Sequence, residues 1–433
     1  MISTIESINS AVNGFVWGLP MLILLVGTGI LMTTLTKVFQ ITHFRHLVKN
    51  TIGGIFRDEH VTAHTDKDDM QISQFQSLCT ALAATIGTGN IAGVAAAIVS
   101  GGPGAIFWMW IVAFFGMMTN FSENVLGIYY RRRNERNEWC GGAMYYLRDG
   151  LGAKKGCKQI GAILATLFSI FCVIASFGIG NMSQINSIAL NMNSAFGIPV
   201  IATGVILMVL AGLVIVGGLK RIASVTERLV PFMAIIYLIG AVIVFIMHFD
   251  RAGEVFVSIF KGAFGMKAVG GGIVGSGVAM AVQWGMKRGV FSNEAGLGSS
   301  VMVHSSSNVR EPVVQGMWGI FEVFADTIIV CTLTAFAVLS SGLINLETGE
   351  VMTDQVSTAL VADAFSTVFG GAGAGFIAIA SADCCTKRYE VNRINRVGKH
   401  TEILVHAIAL SGNSRELELE DRFAIVSSSI TIE

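Results

Sequence analysis

The segment from Ile72 to Val99 is apolar along most of its length but is interrupted midway by Thr85-Ile-Gly-Thr-Gly-Asn-Ile-Ala-Gly93. Glycines and hydrogen-bonding side chains stand where a membrane helix normally carries its most apolar residues. The run reaches the roughly 20 residues that cross a bilayer. Irregular backbone at that depth persists only where protein or a water-filled cavity covers it. The interruption therefore predicts a helix opened around a ligand site, as in membrane transporters. The alternative is close helix packing, because Gly89 and Gly93 have the spacing of small-residue contacts. Thr88 and Asn90 add polar groups for which packing has no use.

Composition agrees with a membrane chain. Hydrophobic residues make up 53% of the 433 residues and charged residues 13%, against roughly 25% charged in soluble proteins. The formal net charge is zero, so no polyanion partner is indicated. Seven cysteines form no C-x-x-C pair, and neither a disulfide framework nor a metal cluster is expected. No nucleophile–base pair stands out, so an enzyme is the least favoured class. Met1 to Ser10 holds no Lys or Arg, so the basic region of a cleavable signal peptide is missing and the first apolar run is expected to remain as a helix.

Hydropathy predicts spans at Ala11–Thr34, Ser73–Val99, Gly104–Tyr130, Ile160–Ile188, Ile198–Gly217, Leu229–His248, Val269–Met286, Val313–Ser340 and Val356–Ala380. With the first helix starting outside, 19 of the 29 Lys and Arg residues fall in cytoplasmic segments and 3 in external ones, the others lying after Ala380. That asymmetry fixes the orientation. The exception is the external stretch between His248 and Val269, where Val255, Phe256, Ile259 and Phe260 share one face and predict an interfacial helix.

A second glycine-interrupted span carries Gly270, Gly271, Gly272, Gly275 and Gly277 at its start and Gly285 and Gly289 at its end. One interrupted span in each half predicts an inverted repeat with five helices per half. At the first break, the amide groups of the half-helix starting near Asn90 would carry partial positive charge and receive a carboxylate, while freed carbonyls would face a cation. A zwitterion with Na+ or H+ suits that chemistry. Gln184, in Gly178-Ile-Gly-Asn-Met-Ser-Gln-Ile-Asn186, either contacts a substrate's polar groups or bonds between helices. Glu123, Glu322 and Asp326 are intramembrane carboxylates, which face a pathway or a partner; Glu322 and Asp326, spaced i, i+4, are expected on one helix face. His304 is expected in a polar loop, and Lys287–Ser299 as an inner loop or gate.

Three stretches carry a family resemblance: Gly87-Thr-Gly-Asn-Ile-Ala-Gly-Val-Ala95, Gly101-Gly-Pro-Gly-Ala-Ile-Phe-Trp-Met-Trp110 and Arg288-Gly-Val-Phe-Ser-Asn-Glu-Ala-Gly-Leu-Gly-Ser299. With Asp326-Thr-Ile-Ile-Val-Cys-Thr332, they resemble the alanine or glycine:cation symporters over about residues 10 to 379. The resemblance implies an all-α protein of a bacterial or archaeal inner membrane, with the leucine-transporter-type inverted repeat, broken helices and an extra N-terminal helix. It implies Na+-coupled symport of a small neutral amino acid, alanine or glycine, with no organic cofactor and no nucleic-acid partner. Gly87, Thr88, Gly89, Asn90 and Gln184 would bind substrate, and carbonyls near Ala83 and Ile86 would help hold sodium.

The sequence departs from the family at Ala143, where Pro is usual, and near Asn120, where a basic residue is usual. The larger departure follows Ala380. There the family continues as an apolar helix with Ser/Thr for the cation and a Trp near the substrate, and two more helices follow. Here Ser381-Ala-Asp-Cys-Cys-Thr-Lys-Arg-Tyr-Glu390 opens a polar stretch to Glu433. The expected organisation is a transporter domain over residues 1–380 and a non-family tail over 381–433, frameshifted or disordered, with a truncated second repeat and impaired transport. A passive channel and an inactive membrane subunit are the competing functions.

Overall fold

The computed structural model describes residues 2–63, 71–134, 137, 139–178, 182–216, 218–265, 273–347, 349–353, 355 and 357–380. The tail expected over 381–433 and the glycines Gly270, Gly271 and Gly272 lie outside the described residues.

The chain is built of helices. In order, the principal ones are α1 (Ile2–Val16), α2 (Leu19–Leu35), α3 (Gln74–Thr85), α4 (Val94–Gly101), α5 (Gly104–Tyr129), α6 (Lys158–Gly178), α7 (Met182–Phe196) and α8 (Val200–Ile215). They continue as α9 (Gly218–Met247), α10 (Ala252–Phe264), α11 (Ile273–Asn293), α12 (Pro312–Val323), α13 (Thr332–Ser340) and α14 (Thr358–Phe369), with α15 (Gly371–Ala380) at the end of the described chain. A two-stranded hairpin, Arg132–Arg133 with Trp139–Cys140, follows α5. The Arg131 and Arg133 guanidinium groups lie 4.0 and 4.7 Å from the Trp139 ring centre, a cation–π geometry.

Among the described residues five helical segments are long and apolar enough to cross a membrane: Ala11–Leu35, Gly104–Tyr129, Lys158–Ala175, Lys220–Met247 and Pro312–Ser340. The pair α3 and α4 adds a sixth span, bent by 48° at its break. Burial sorts the spans into inner and outer ones. Within the apolar window of each span, 61% is buried for α5 and 67% for Pro312–Ser340, against 11% for Ala11–Leu35 and 17% for Lys158–Ala175. The outer helices turn side chains such as Ile23, Leu24, Ile163, Phe171, Ile201 and Met208 outward. A surface this apolar is stable only against hydrocarbon.

Several predicted spans change in the structure. Ile160–Ile188 is described as α6 and α7, residues 179–181 lying outside the described residues, and Leu229–His248 starts earlier, at Gly218. Val356–Ala380 holds two helices, α14 and α15, with Gly370 at φ +57° between them, a backbone conformation that glycine adopts without steric cost. Val269–Met286 becomes α11, which runs unbroken from Ile273 to Asn293. Residues 287–293 are thus helix rather than loop. In α11, Gly285 and Gly289 are contact points: a Cβ at either would overlap α5, at Ala105 and at Val112 respectively. The expected interfacial helix exists as α10, but Val255 and Ile259 are fully buried, and Phe256 and Phe260 lie near Trp110 of α5. α10 is therefore a packed helix with one half-exposed aromatic edge.

α5 is the axis of the packing, since α2, α4, α10, α11 and α12 all lie against it. Its start shows why a small residue is needed: a Cβ on Gly104 would overlap the backbone of Gly262 and Ala263. Beyond the end of α5 Arg131 closes the bundle, donating to the carbonyls of Ser305, Ser307 and Val309 at 3.0, 2.6 and 2.5 Å. Its burial, with the neighbouring charge of Arg133, lowers its pKa to about 10.

Gly104→Val is expected to lower the apparent unfolding temperature in detergent sharply. The overlap is with backbone, and overpacking of this kind costs about 1–3 kcal/mol or more. Gly27→Ala, with open space at its Cβ position, is expected to leave it unchanged or slightly raised, by the helix propensity gain of roughly 1 kcal/mol. Equal midpoints for the two variants would contradict this packing.

Candidate functional site

α3 begins with a reciprocal cap. Ser73 Oγ accepts from the Gln76 N–H and Gln76 Oε1 accepts from the Ser73 N–H, both at 3.1 Å, which satisfies two donors at the helix start. The helix ends at Ile86, where ψ turns to 103°. The chain resumes as a π-helical turn, Gly89–Gly93, and then α4. Such turns recur at functional sites.

Hydrogen bonding explains the break. In an unbroken helix the Gly87 N–H would reach back to the Ala83 carbonyl and the Asn90 N–H to the Ile86 carbonyl. Instead, the Gly87 N–H donates to Asn90 Oδ1 at 2.8 Å, and the Asn90 N–H donates to the Gly87 carbonyl at 3.2 Å. The carbonyls of Ala83 and Ile86 are thus the ones whose helical donors are diverted.

Asn90 also ties the break to two other helices. Its Nδ2 donates to Asp326 Oδ1 at 2.6 Å and to the Asp326 carbonyl at 3.1 Å. Asp326 Oδ2 accepts from Ser292 Oγ and from Thr327 Oγ1, both at 2.8 Å. Asn293 Nδ2 donates to Thr327 Oγ1 at 3.2 Å. Asp326 is fully buried and Asn90 is 1% exposed. Among the described residues the hydrogen-bond donors to this carboxylate, Asn90, Ser292 and Thr327, are all neutral.

The structure brings Gln184 to the same place. A Cβ on Gly87 would stand 3.2 Å from Gln184 Nε2, so the amide lies directly against that glycine. A Cβ on Gly89 would meet Ser292 at 3.3 Å. Gly87 and Gly89 therefore both open the backbone and let neighbours approach it. Thr88, at 7% exposed, and Gln184, at 1%, are buried with Asn90. A cavity of about 360 Å³ lies elsewhere, among Lys49, Arg57, Gln74, Arg310 and Glu311, and none of the break residues lines it.

A second polar group sits between α5 and α12. Glu322 Oε2 accepts from Asn120 Nδ2 at 2.9 Å, from Ser300 Oγ at 2.8 Å and from His304 Nε2 at 3.2 Å. His304 is fully buried, at the end of a short helix, Ser300–His304. It is not in a polar loop, because Glu322, Gln315 and Ser77 surround its ring. Glu322 and Asp326 stand one turn apart, with a π-helical segment, Phe324–Cys331, beginning between them, and each carboxylate has its own set of donors. Glu123 holds the connection after α11, accepting from the Gly296 N–H at 3.3 Å, which is a structural role.

Ser292 and Thr327 were not singled out from sequence. Both stand inside the motifs Arg288–Ser299 and Asp326–Thr332. Reading the former as loop hid the fact that Ser292 faces the break from a helix.

Asn90→Ala would strand the Gly87 N–H and remove one donor from Asp326. Each buried group left unpaired costs about 1–3 kcal/mol. The apparent unfolding midpoint in detergent is expected to fall by several degrees; an unchanged midpoint would contradict the Asn90–Asp326 link.

The sequence profile of the sodium:alanine symporter family matches residues 2–383. The chain is 42% identical over 363 residues to the sodium/alanine symporter AgcS of Methanococcus maripaludis, covering 84% of this chain and 76% of that one. It is 37% identical over 317 residues to the sodium/proton-dependent alanine carrier protein of Bacillus sp. (strain PS3), covering 71% and 68%. It is also 36% identical over 342 residues to the probable sodium/glutamine symporter GlnT of Bacillus subtilis (strain 168), covering 79% and 67%. These are transporters and not enzymes, and the chain belongs to the sodium:alanine symporter family.

Proposed function

We propose that this chain is a sodium-coupled symporter of a small neutral amino acid, alanine or glycine, working by alternating access in the inner membrane of a bacterium or archaeon. The observation that carries the reading is the broken α3–α4 span, with Gln184 against Gly87 and a buried carboxylate, Asp326, on Asn90. The family relatives named for alanine support the substrate class.

The roles follow from the chemistry. The substrate carboxylate docks at the amide groups of Gly87, Thr88 and Gly89, where the dipole of the second half-helix favours an anion. Asn90 shapes that turn by holding the Gly87 N–H, and Gln184 contacts the substrate's polar groups. The Ala83 and Ile86 carbonyls offer oxygen to Na+, and the charge of Asp326 draws the cation to the break. Moving one positive charge inward across 100 mV contributes about 2.3 kcal/mol, so the potential assists uptake. Burial of Thr88, Asn90 and Gln184 supports a cycle in which the break is shut off from both sides between its open states. Alternating access then follows from rocking of a leucine-transporter-type inverted repeat, in which α3–α4 leads the first half.

Residues 1–380 form the transporter unit in this reading, and 381–433 lie outside it. The tail is polar where the family is apolar, which supports a transport rate below that of a relative with apolar sequence there.

Proteoliposomes carrying the full chain, with a sodium gradient imposed and the pH gradient collapsed, are expected to accumulate labelled alanine above equilibrium. Gln184→Ala is expected to weaken half-saturation by roughly tenfold, the equivalent of one hydrogen bond to a charged group, and Asp326→Asn to abolish the sodium dependence. Equilibration without accumulation would identify a passive channel, and no uptake at all an inactive membrane subunit.

A further inference from the structure

The α5–α12 seam holds a group of polar atoms that the substrate reading does not use. Glu322, Asn120 and Asn124 are fully buried. Three donors, from Asn120, Ser300 and His304, converge on one carboxylate oxygen of Glu322, Oε2. The other, Oε1, has no hydrogen-bond partner among the described residues, and neither has Asn120 Oδ1 or either polar atom of Asn124. Buried polar atoms in native proteins are paired, and an exception signals an ordered water or an ion.

Asn120 and Asn124 face α12 from α5, at Glu322 and Gly319. Asn120 Nδ2 donates to Glu322 and, at 3.3 Å, to the Gly319 carbonyl. Asn124 is one helical turn further along the same face, and its Nδ2 occupies the space where a Cβ on Gly319 would stand. The unpaired atoms therefore comprise three oxygens and one nitrogen. A water brings two donors and two acceptors, whereas a cation takes several oxygens at once.

Charge points the same way. Asn120 and Ser300 are neutral donors, and His304 Nε2 lies 3.2 Å from Glu322 Oε2. A carboxylate this deep is expensive unless a charge balances it. One monovalent cation neutralises it, while a divalent ion would leave an excess positive charge buried.

We propose that Glu322 Oε1, Asn120 Oδ1 and Asn124 Oδ1 form a binding site for a small monovalent cation, separate from the break between α3 and α4. Oxygen ligands of this kind suit a hard ion. The site lies between α5 and α12 and bears, through Ser300 and His304, on the connection that follows α11. Its occupancy thus locks three parts of the bundle together. It does not rest on the substrate assignment.

The test is equilibrium binding of radioactive sodium to the purified full chain in detergent without amino acid, with ionic strength held constant by choline chloride and with KCl as a competing arm. The wild-type chain is expected to bind one more Na+ than Glu322→Gln. Asn124→Ala, which leaves all three donors to Glu322 in place and loses no hydrogen bond to protein, is expected to fold and to bind that ion at least tenfold more weakly. Displacement by KCl at equal concentration would assign the site to K+ and would still support a monovalent cation. Wild-type stoichiometry and affinity in the folded Asn124→Ala protein, or in folded Glu322→Gln, would overturn the proposal and leave water as the occupant. Amino-acid uptake is not read, so that result would leave the substrate reading untouched.

Discussion

The buried carboxylate of Asp326 is the interaction on which the rest of the architecture turns. It accepts from Asn90 at the helix break, from Ser292 on α11 and from its own neighbour Thr327. Asn90 in turn diverts the Gly87 N–H from the Ala83 carbonyl. Breaking a helix inside hydrocarbon strands backbone groups that no water can satisfy. Here a side chain satisfies one of them, and a carboxylate fixes that side chain. The opening of α3–α4 is therefore a built feature, held by three elements, rather than a weak point left by glycine.

The surrounding helices make this centre affordable. α5 and the Pro312–Ser340 span are mostly buried, while the outer spans put their apolar faces toward lipid. Between lipids and core there is no hydrophobic driving force, so helix contacts depend on close approach. Gly104, Gly285 and Gly289 supply that approach along α5. The polar residues sit inside this packed layer, where the low dielectric strengthens satisfied hydrogen bonds and makes an unpaired charge costly. That cost is why two buried carboxylates on one span, Asp326 and Glu322, each gather several donors.

Much of the break could be read from the sequence. Gly87, Thr88, Gly89 and Asn90 interrupt an apolar run, and hydropathy alone exposes the interruption. The meeting of Gln184 with Gly87 could not be read that way, because it depends on how α7 packs against a span about a hundred residues earlier. The i, i+4 spacing put Glu322 and Asp326 one turn apart, but it could not show the π-helical segment that begins at Phe324 or the separate donors each carboxylate gathers. His304 read as a loop residue because Ser305-Ser-Ser-Asn308 follows it; its burial comes from Gln315 and Glu322, which are distant from it by a full connection. In the second glycine-rich span Gly285 and Gly289 serve as contact surface for α5, while Gly270, Gly271 and Gly272 at its start lie outside the described residues.

The central claim is that the break is a ligand-binding element governed by the Asn90–Asp326 link. Hydrogen exchange read by mass spectrometry on peptides covering residues 83–93 tests it most directly. Sodium and alanine together are expected to slow exchange there in the wild-type protein, with no slowing in folded Asp326→Asn. Exchange at these amides that ignores both ligands in the wild-type protein would contradict the account.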